Sequence, residues 1–242
     1  MNSNIKLSRK LKIIKIMVLF CAMIIVATSC TPKVKIKVSD KNEVFVDIDI
    51  THTDSTKRLI KSLNNLGGDS MFEGKDENIE NVKGEDGMEI VHLRKTASLD
   101  VNAKLKFSDT DKLNPSMLLI NKTEQKLIFS LNRKTTSSFF EQMSQEDREY
   151  LDLLMSPCLQ NTKMSEEEYI ELIANAYGNK ASQELKGAKF SISFELPKKI
   201  KNVQISPQNE QKIDGNKMEV HIPMTKVLVM NQEIKVTIDY SN

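Results

Sequence analysis

From residue 33 to residue 50 the side chains alternate between apolar and polar almost without exception. Val34, Ile36 and Val38 are interleaved with Lys33, Lys35 and Lys37; after a polar break at residues 39–42, Val44, Val46, Ile48 and Ile50 are interleaved with Phe45, Asp47 and Asp49. Successive side chains of a strand point to opposite faces, so a period of two buries one face only in a sheet. A helix would scatter the same apolar side chains around its whole circumference. The pattern predicts an antiparallel hairpin over residues 33–52.

The rhythm returns in MEIVHLRK from Met88, in Leu99, Val101, Ala103, Leu105 and Phe107, and in MLLIN and KLIFSLN on either side of residues 122–125. Towards the C-terminus Phe190, Ile192, Phe194 and Leu196 alternate up to Pro197, NVQIS reads as a short strand, and Asp214-Gly215-Asn216 marks a tight hairpin before MEVHIP. KVLVM and EIKVTIDY, around Asn231-Gln232, read as closing strands.

Between these strand-rich ends the period lengthens. Asp54 can cap a helix carrying Leu59, Ile60, Leu63 and Leu66, stopped by Gly67-Gly68. Phe139, Phe140 and Met143 open a helical stretch, and Ser144 caps another with Leu151, Leu154 and Met155, ended by Pro157. Ser165 with Glu168 forms a capping box ahead of Tyr169, Ile170, Ile173 and Tyr177, with Gly178 following. Residues 72–87 are acidic, lack helical or strand rhythm and lack the residue order of a calcium loop, and read as a mobile loop. The fold class expected is α+β: an antiparallel sheet built from hairpins, with a layer of short helices inserted between the N- and C-terminal strands.

The first 30 residues set the location. Lys6, Arg9, Lys10, Lys12 and Lys15 precede an uncharged apolar run over residues 16–27, the layout of a secretory leader. That run is shorter than the roughly 20 residues needed to cross a bilayer. It ends in Ala27-Thr28-Ser29-Cys30, which resembles the lipobox of bacterial lipoproteins, with Ala27 where Leu is usual. The resemblance implies that residues 1–29 are removed and that Cys30 carries the lipid, leaving a single lipid-anchored domain over residues 30–242; ordinary cleavage and free secretion is the alternative. Lys33, Lys35 and Lys37 would then lie close to the membrane, each adding about 1 kcal/mol at an anionic surface; otherwise they guard a sheet edge.

Removing the leader takes Lys+Arg from 35 to 30 against 33 acids, so the mature formal charge is −3. This balance provides no electrostatic footprint for nucleic acid, and no nucleic-acid partner is expected. Cys158 is left as the free thiol, read as a small buried hydrophobe, with no intramolecular disulfide.

The chemistry on offer is sparse. No nucleophile elbow, zinc motif, CxxC, phosphate loop or dinucleotide fingerprint occurs, so no catalytic residue, metal site or cofactor is expected. His52 falls on the strand face opposite Asp47 and Asp49, which weakens a metal site there, and His92 reads as sharing a face with Met88 and Ile90. With His221 these are the only histidines.

The C-terminal stretch GNKMEVHIPMTKVLVMNQEIKVTIDY is similar to the closing segment of LppM-type lipoproteins and related small spirochaetal ones, through Ile222, Pro223 and the apolar rhythm. That resemblance implies an α+β envelope domain able to bind polar lipids. The leading expectation is a non-enzymatic, lipid-anchored, extracytoplasmic envelope protein acting as a binding or interaction module, with a lipid or an envelope protein as partner. Phe139, Phe140, Tyr169 and Tyr177 would line an apolar groove for an acyl chain. The alternatives are an envelope hydrolase using acidic residues and a surface adhesin or assembly factor.

Overall fold

The alternation at residues 33–50 becomes a hairpin of strands β1 (Lys33–Val38) and β2 (Val44–Ile50), with Lys33 opposite Asp49 and Val38 opposite Val44. A computed structural model describes residues 32–41, 43–52, 77–83, 88–96, 100–108, 110, 113, 116–141, 155–160 and 162–241. The helix expected after Asp54, and its Gly67-Gly68 stop, lie outside the described residues.

The remaining elements in chain order are β3 (Glu77–Lys83), β4 (Met88–Lys95), β5 (Val101–Phe107), β6 (Leu118–Asn121) and β7 (Lys126–Leu131), then helices α1 (Arg133–Phe140), α2 (Glu166–Tyr177) and α3 (Asn179–Gly187). They continue with β8 (Lys189–Glu195), β9 (Ile200–Ser206), β10 (Glu210–Asp214), β11 (Lys217–Pro223), α4 (Met224–Val229) and β12 (Ile234–Tyr240). Residues 155–159 are also helical, Pro157 included, so that proline does not stop the helix there. The class is α+β, as the two periods imply.

Among the described residues the strands form two sheets. The larger has eight strands in the order β10-β11-β8-β1-β2-β5-β4-β3; the smaller has four, β6-β7-β12-β9. All pairings are antiparallel except β1 with β8, where Lys33 lies beside Ser191 and Lys37 beside Glu195. Strand β1 is therefore central, and its lysines guard no edge. Lys35 and Lys37 instead both reach Glu195, Nζ to carboxylate oxygen at 2.8 Å each.

Three further sequence expectations are corrected. Residues 77–83 are not loop but edge strand β3, paired only with β4; an edge strand whose side chains mostly face water needs no apolar rhythm. A bulge between Ile90 and His92 turns His92 away from Ile90, so that it pairs with Lys104 and Glu80 while Leu93 is buried. MTKVLV is helix α4, not strand: Met224, Thr225, Val227, Leu228 and Val229 are all buried, and a short apolar run buried on every side shows no period.

The inner faces of both sheets and the buried faces of α2, α3 and α4 share one apolar core. Phe129 of β7 meets Phe194 of β8 edge to face, ring centres 6.1 Å apart, which joins the two sheets. Connectivity places the helices together. Helix α1 follows the end of β7, α3 leads into the start of β8, and α4 leaves the end of β11 and returns the chain to the start of β12. The Met224 N–H donates to the Ala188 carbonyl at 3.0 Å, fastening α4 beside the start of β8.

At the opposite end short turns are tied to one another. Leu196 N–H donates to Asn216 O and Ile200 N–H to Gly215 O, each at 3.0 Å, while Tyr240 N–H donates to Gln125 O at 2.9 Å. The molecule thus has a helix end and a turn end.

Candidate functional site

At the helix end, α2 starts with the capping box read from sequence: Glu168 N–H donates to Ser165 Oγ at 3.1 Å, and Ser165 N–H donates to Glu168 Oε2 at 2.7 Å. The Glu168 carboxyl is held below its usual range, chiefly by the Ser165 backbone N–H. The box fixes where α2 starts, and the helix buries Tyr169 and Ile173 against the core. Thr225 of α4 donates to Glu166 in the first turn of α2, joining the two helices.

Arg133 at the start of α1 clamps the far end of α4. Its Nε donates to Met230 O at 2.9 Å and its Nη2 to Val229 O at 3.1 Å, to Thr162 O at 2.9 Å and to Asn231 Oδ1 at 3.3 Å. The Val229 and Met230 carbonyls are among those a helix leaves unpaired at its C-terminus. Met230 ends α4 in the left-handed conformation, φ 46°, and its sulfur lies 4.0 Å from Cys158 Sγ and 3.8 Å from Thr136 Oγ1. Burial pushes the Cys158 thiol up to about 11, so it is inert at neutral pH and packs as a small apolar group, the role expected of it.

Of the expected groove residues, Tyr169 is fully buried and burial pushes its hydroxyl far above the usual range. Tyr177, two turns further along α2, is half-buried against the core. Phe139 and Phe140 fall in the last turn of α1, and their side chains lie outside the described residues, as does Cys30.

The outer face of the large sheet carries a second polar assembly. Register aligns Glu210, His221, Ser191, Lys33, Asp49 and Asn102 in one row across six strands, and Lys212, Glu219, Ser193, Lys35, Asp47 and Lys104 in the next. Charges of both signs alternate, so no single-sign field develops. Phe45 is covered by the ammonium groups of Lys104 and Lys106, 5.9 and 5.7 Å from its ring centre.

Ser191 Oγ of the first row lies 2.9 Å from His221 Nδ1, and His221 Nε2 lies 3.7 Å from Oε1 of Glu219 in the next row. The residue types are those of a serine hydrolase. Acyl transfer needs an open hydroxyl and N–H donors aimed at the developing oxyanion. Ser191 is only 6 % exposed, and its N–H is committed to Pro32 O at 2.9 Å. The trio acts as cross-strand hydrogen bonding between neighbours on a pleated surface. Alternation places His221 outward, but only the β8–β11 register brings Ser191 to it, which no local signal in the sequence reveals.

His52 is buried; its N–H donates to Asp100 Oδ1 at 2.8 Å and its ring Nδ1 lies 3.4 Å from the same oxygen. Among the described residues no three His, Cys, Asp or Glu side chains converge to hold a metal ion, and no helix is long and apolar enough to cross a membrane.

No family model and no curated protein matches the chain. Among solved structures, the folded domain of LppM from Mycobacterium tuberculosis superposes with a TM-score of 0.36 and 8% identity, over 89% of this chain and 92% of that one. At that score the likeness fixes neither family nor function.

Proposed function

We propose that the chain is a non-enzymatic, extracytoplasmic interaction module, anchored to a membrane through lipid on Cys30, with residues 1–29 removed as a leader. The observation that carries this reading is the basic, acid-free leader ending in Ala27-Thr28-Ser29-Cys30, placed directly ahead of β1. A lipid anchor of two or three chains holds a domain at a surface without a spanning helix, whereas one acyl chain binds only reversibly. The committed Ser191 amide and the balanced charges of the outer sheet face favour a binding role over hydrolysis.

In its finer form the ligand is a polar lipid whose acyl chain lies between helices and sheet, against Phe139, Phe140 and Tyr177 and above the buried ring of Tyr169. Intact-mass measurement of chain extracted from membranes should show loss of residues 1–29 and an added diacylglyceryl mass at Cys30, and Cys30→Ser should release the chain from the membrane fraction. An uncleaved leader, or unchanged membrane association of Cys30→Ser, would overturn the reading. Native mass spectrometry should show a co-purified lipid on the anchored chain; its absence would remove the ligand while leaving the anchor.

A further inference from the structure

The anchored reading leaves the orientation of the domain open, and the connection between Cys30 and the fold bears on it. Pro32 is already part of the sheet end, because its carbonyl accepts the Ser191 N–H at 2.9 Å beside the first residue of β1. Only Thr31 stands between Cys30 and Pro32. Two residues reach at most about 7 Å when fully extended. The polar layer on each side of a bilayer is of similar depth, about 5–7 Å.

Strand β1 is fourth of eight, so the tether leaves from the middle of the sheet rather than from a corner. A body held that closely at the middle of one end cannot turn that end away from the surface.

We propose that this chain stands on the lipid surface to which it is anchored with its helix end down, so that the start of β1, the end of β2 and the junctions of β8 and β11 with the helices touch the headgroups. The inference rests on the lipid anchor at Cys30. The strand directions fix which end this is: β8 starts there from α3, and β11 stops there where α4 begins. The tied turns around Gly215, Asn216 and Lys199, with the Tyr240 end of β12, then face outward, about 20 Å further from the membrane at 3.3 Å per strand residue. Helix α2, which carries Tyr169 and Tyr177, is thereby on the lipid side, and the turn end is what a partner protein would meet. Headgroup contact here requires no charge complementarity. Lys33 and Lys189 at this end are matched by Asp49 and Glu210, so short reach and not electrostatic attraction sets the pose.

The test uses the full, acylated chain in phosphatidylcholine–phosphatidylglycerol vesicles containing a headgroup-labelled quenching lipid. A fluorophore is placed at Thr51→Cys, beyond β2 at the helix end, or at Asp214→Cys at the turn end, both in a Cys158→Ser background. Fluorescence at position 51 should be quenched several-fold more than at position 214. A twelve-residue Gly/Ser insertion between Thr31 and Pro32, which spans about 19 Å on average, should erase the difference. Equal quenching at the two positions in anchored chain, or stronger quenching at 214, overturns the orientation while leaving the anchor intact. Chain that fails to stay on the vesicles and carries no acyl mass overturns the anchor and the orientation together.

Discussion

Glu195 shows how much one side chain takes on when strands from distant parts of the sequence meet. Hydrogen bonds from Lys35 and then Lys37 hold its carboxyl down at about 2, against about 4.3 for a free glutamate. A carboxyl depressed in the folded state stabilises fully above its unfolded value, and that contribution is lost as pH falls from about 5 to about 2. Glu195→Gln should therefore flatten the acid limb of stability against pH, measured by urea unfolding at pH 3, 5 and 7. The difference should shrink in high salt, since both lysines are partly exposed. Equal slopes for the two proteins would assign the acid sensitivity elsewhere. Cys158 gives a second expectation at this scale: in the native protein at pH 8 it should resist a thiol reagent and react only after unfolding. The lysine alternation was plain in the sequence. Its partner was not, because Glu195 joins it through a pairing that no local pattern encodes.

At the scale of elements, local signals succeeded where chemistry and period agreed. Ser165 and Glu168 marked the start of α2 correctly, and Asp214-Gly215-Asn216 marked the β10–β11 turn, where Gly215 has φ 59°. Removing the cap with Ser165→Ala should cost about 1 kcal/mol, read as a lower urea midpoint with an unchanged slope. Elements whose burial lacks a simple period escaped notice. Helix α3 buries only Ala181, Ser182 and Leu185, a stripe too narrow and too small to stand out in NKASQELKG. A single bulged residue reversed the face of His92. The Arg133 clamp was equally invisible, since three of its four acceptors are backbone carbonyls and all four come from residues far along the chain. Arg133→Lys retains charge but loses the planar fork. It should lower the thermal midpoint nearly as much as Arg133→Ala, whereas a purely electrostatic clamp would be rescued.

For the whole molecule, hairpins and class were legible, but the division into two sheets was not, because every strand announces its faces and none announces its neighbours. Phe194 sits at the junction, against Phe129 of the other sheet. Phe194→Ala should destabilise by about 3–5 kcal/mol in urea unfolding, whereas an exposed change such as Leu119→Ala should stay within about 0.5 kcal/mol. The parallel seam between β1 and β8 has a consequence in time. Strand β1 lies beside a strand made only after β2 to β7 and three helices, and until that late arrival it has a neighbour on one side alone. A nascent chain therefore cannot close the middle of its larger sheet until β8 has been made, and up to that moment one side of β1 is open to whatever else offers a strand.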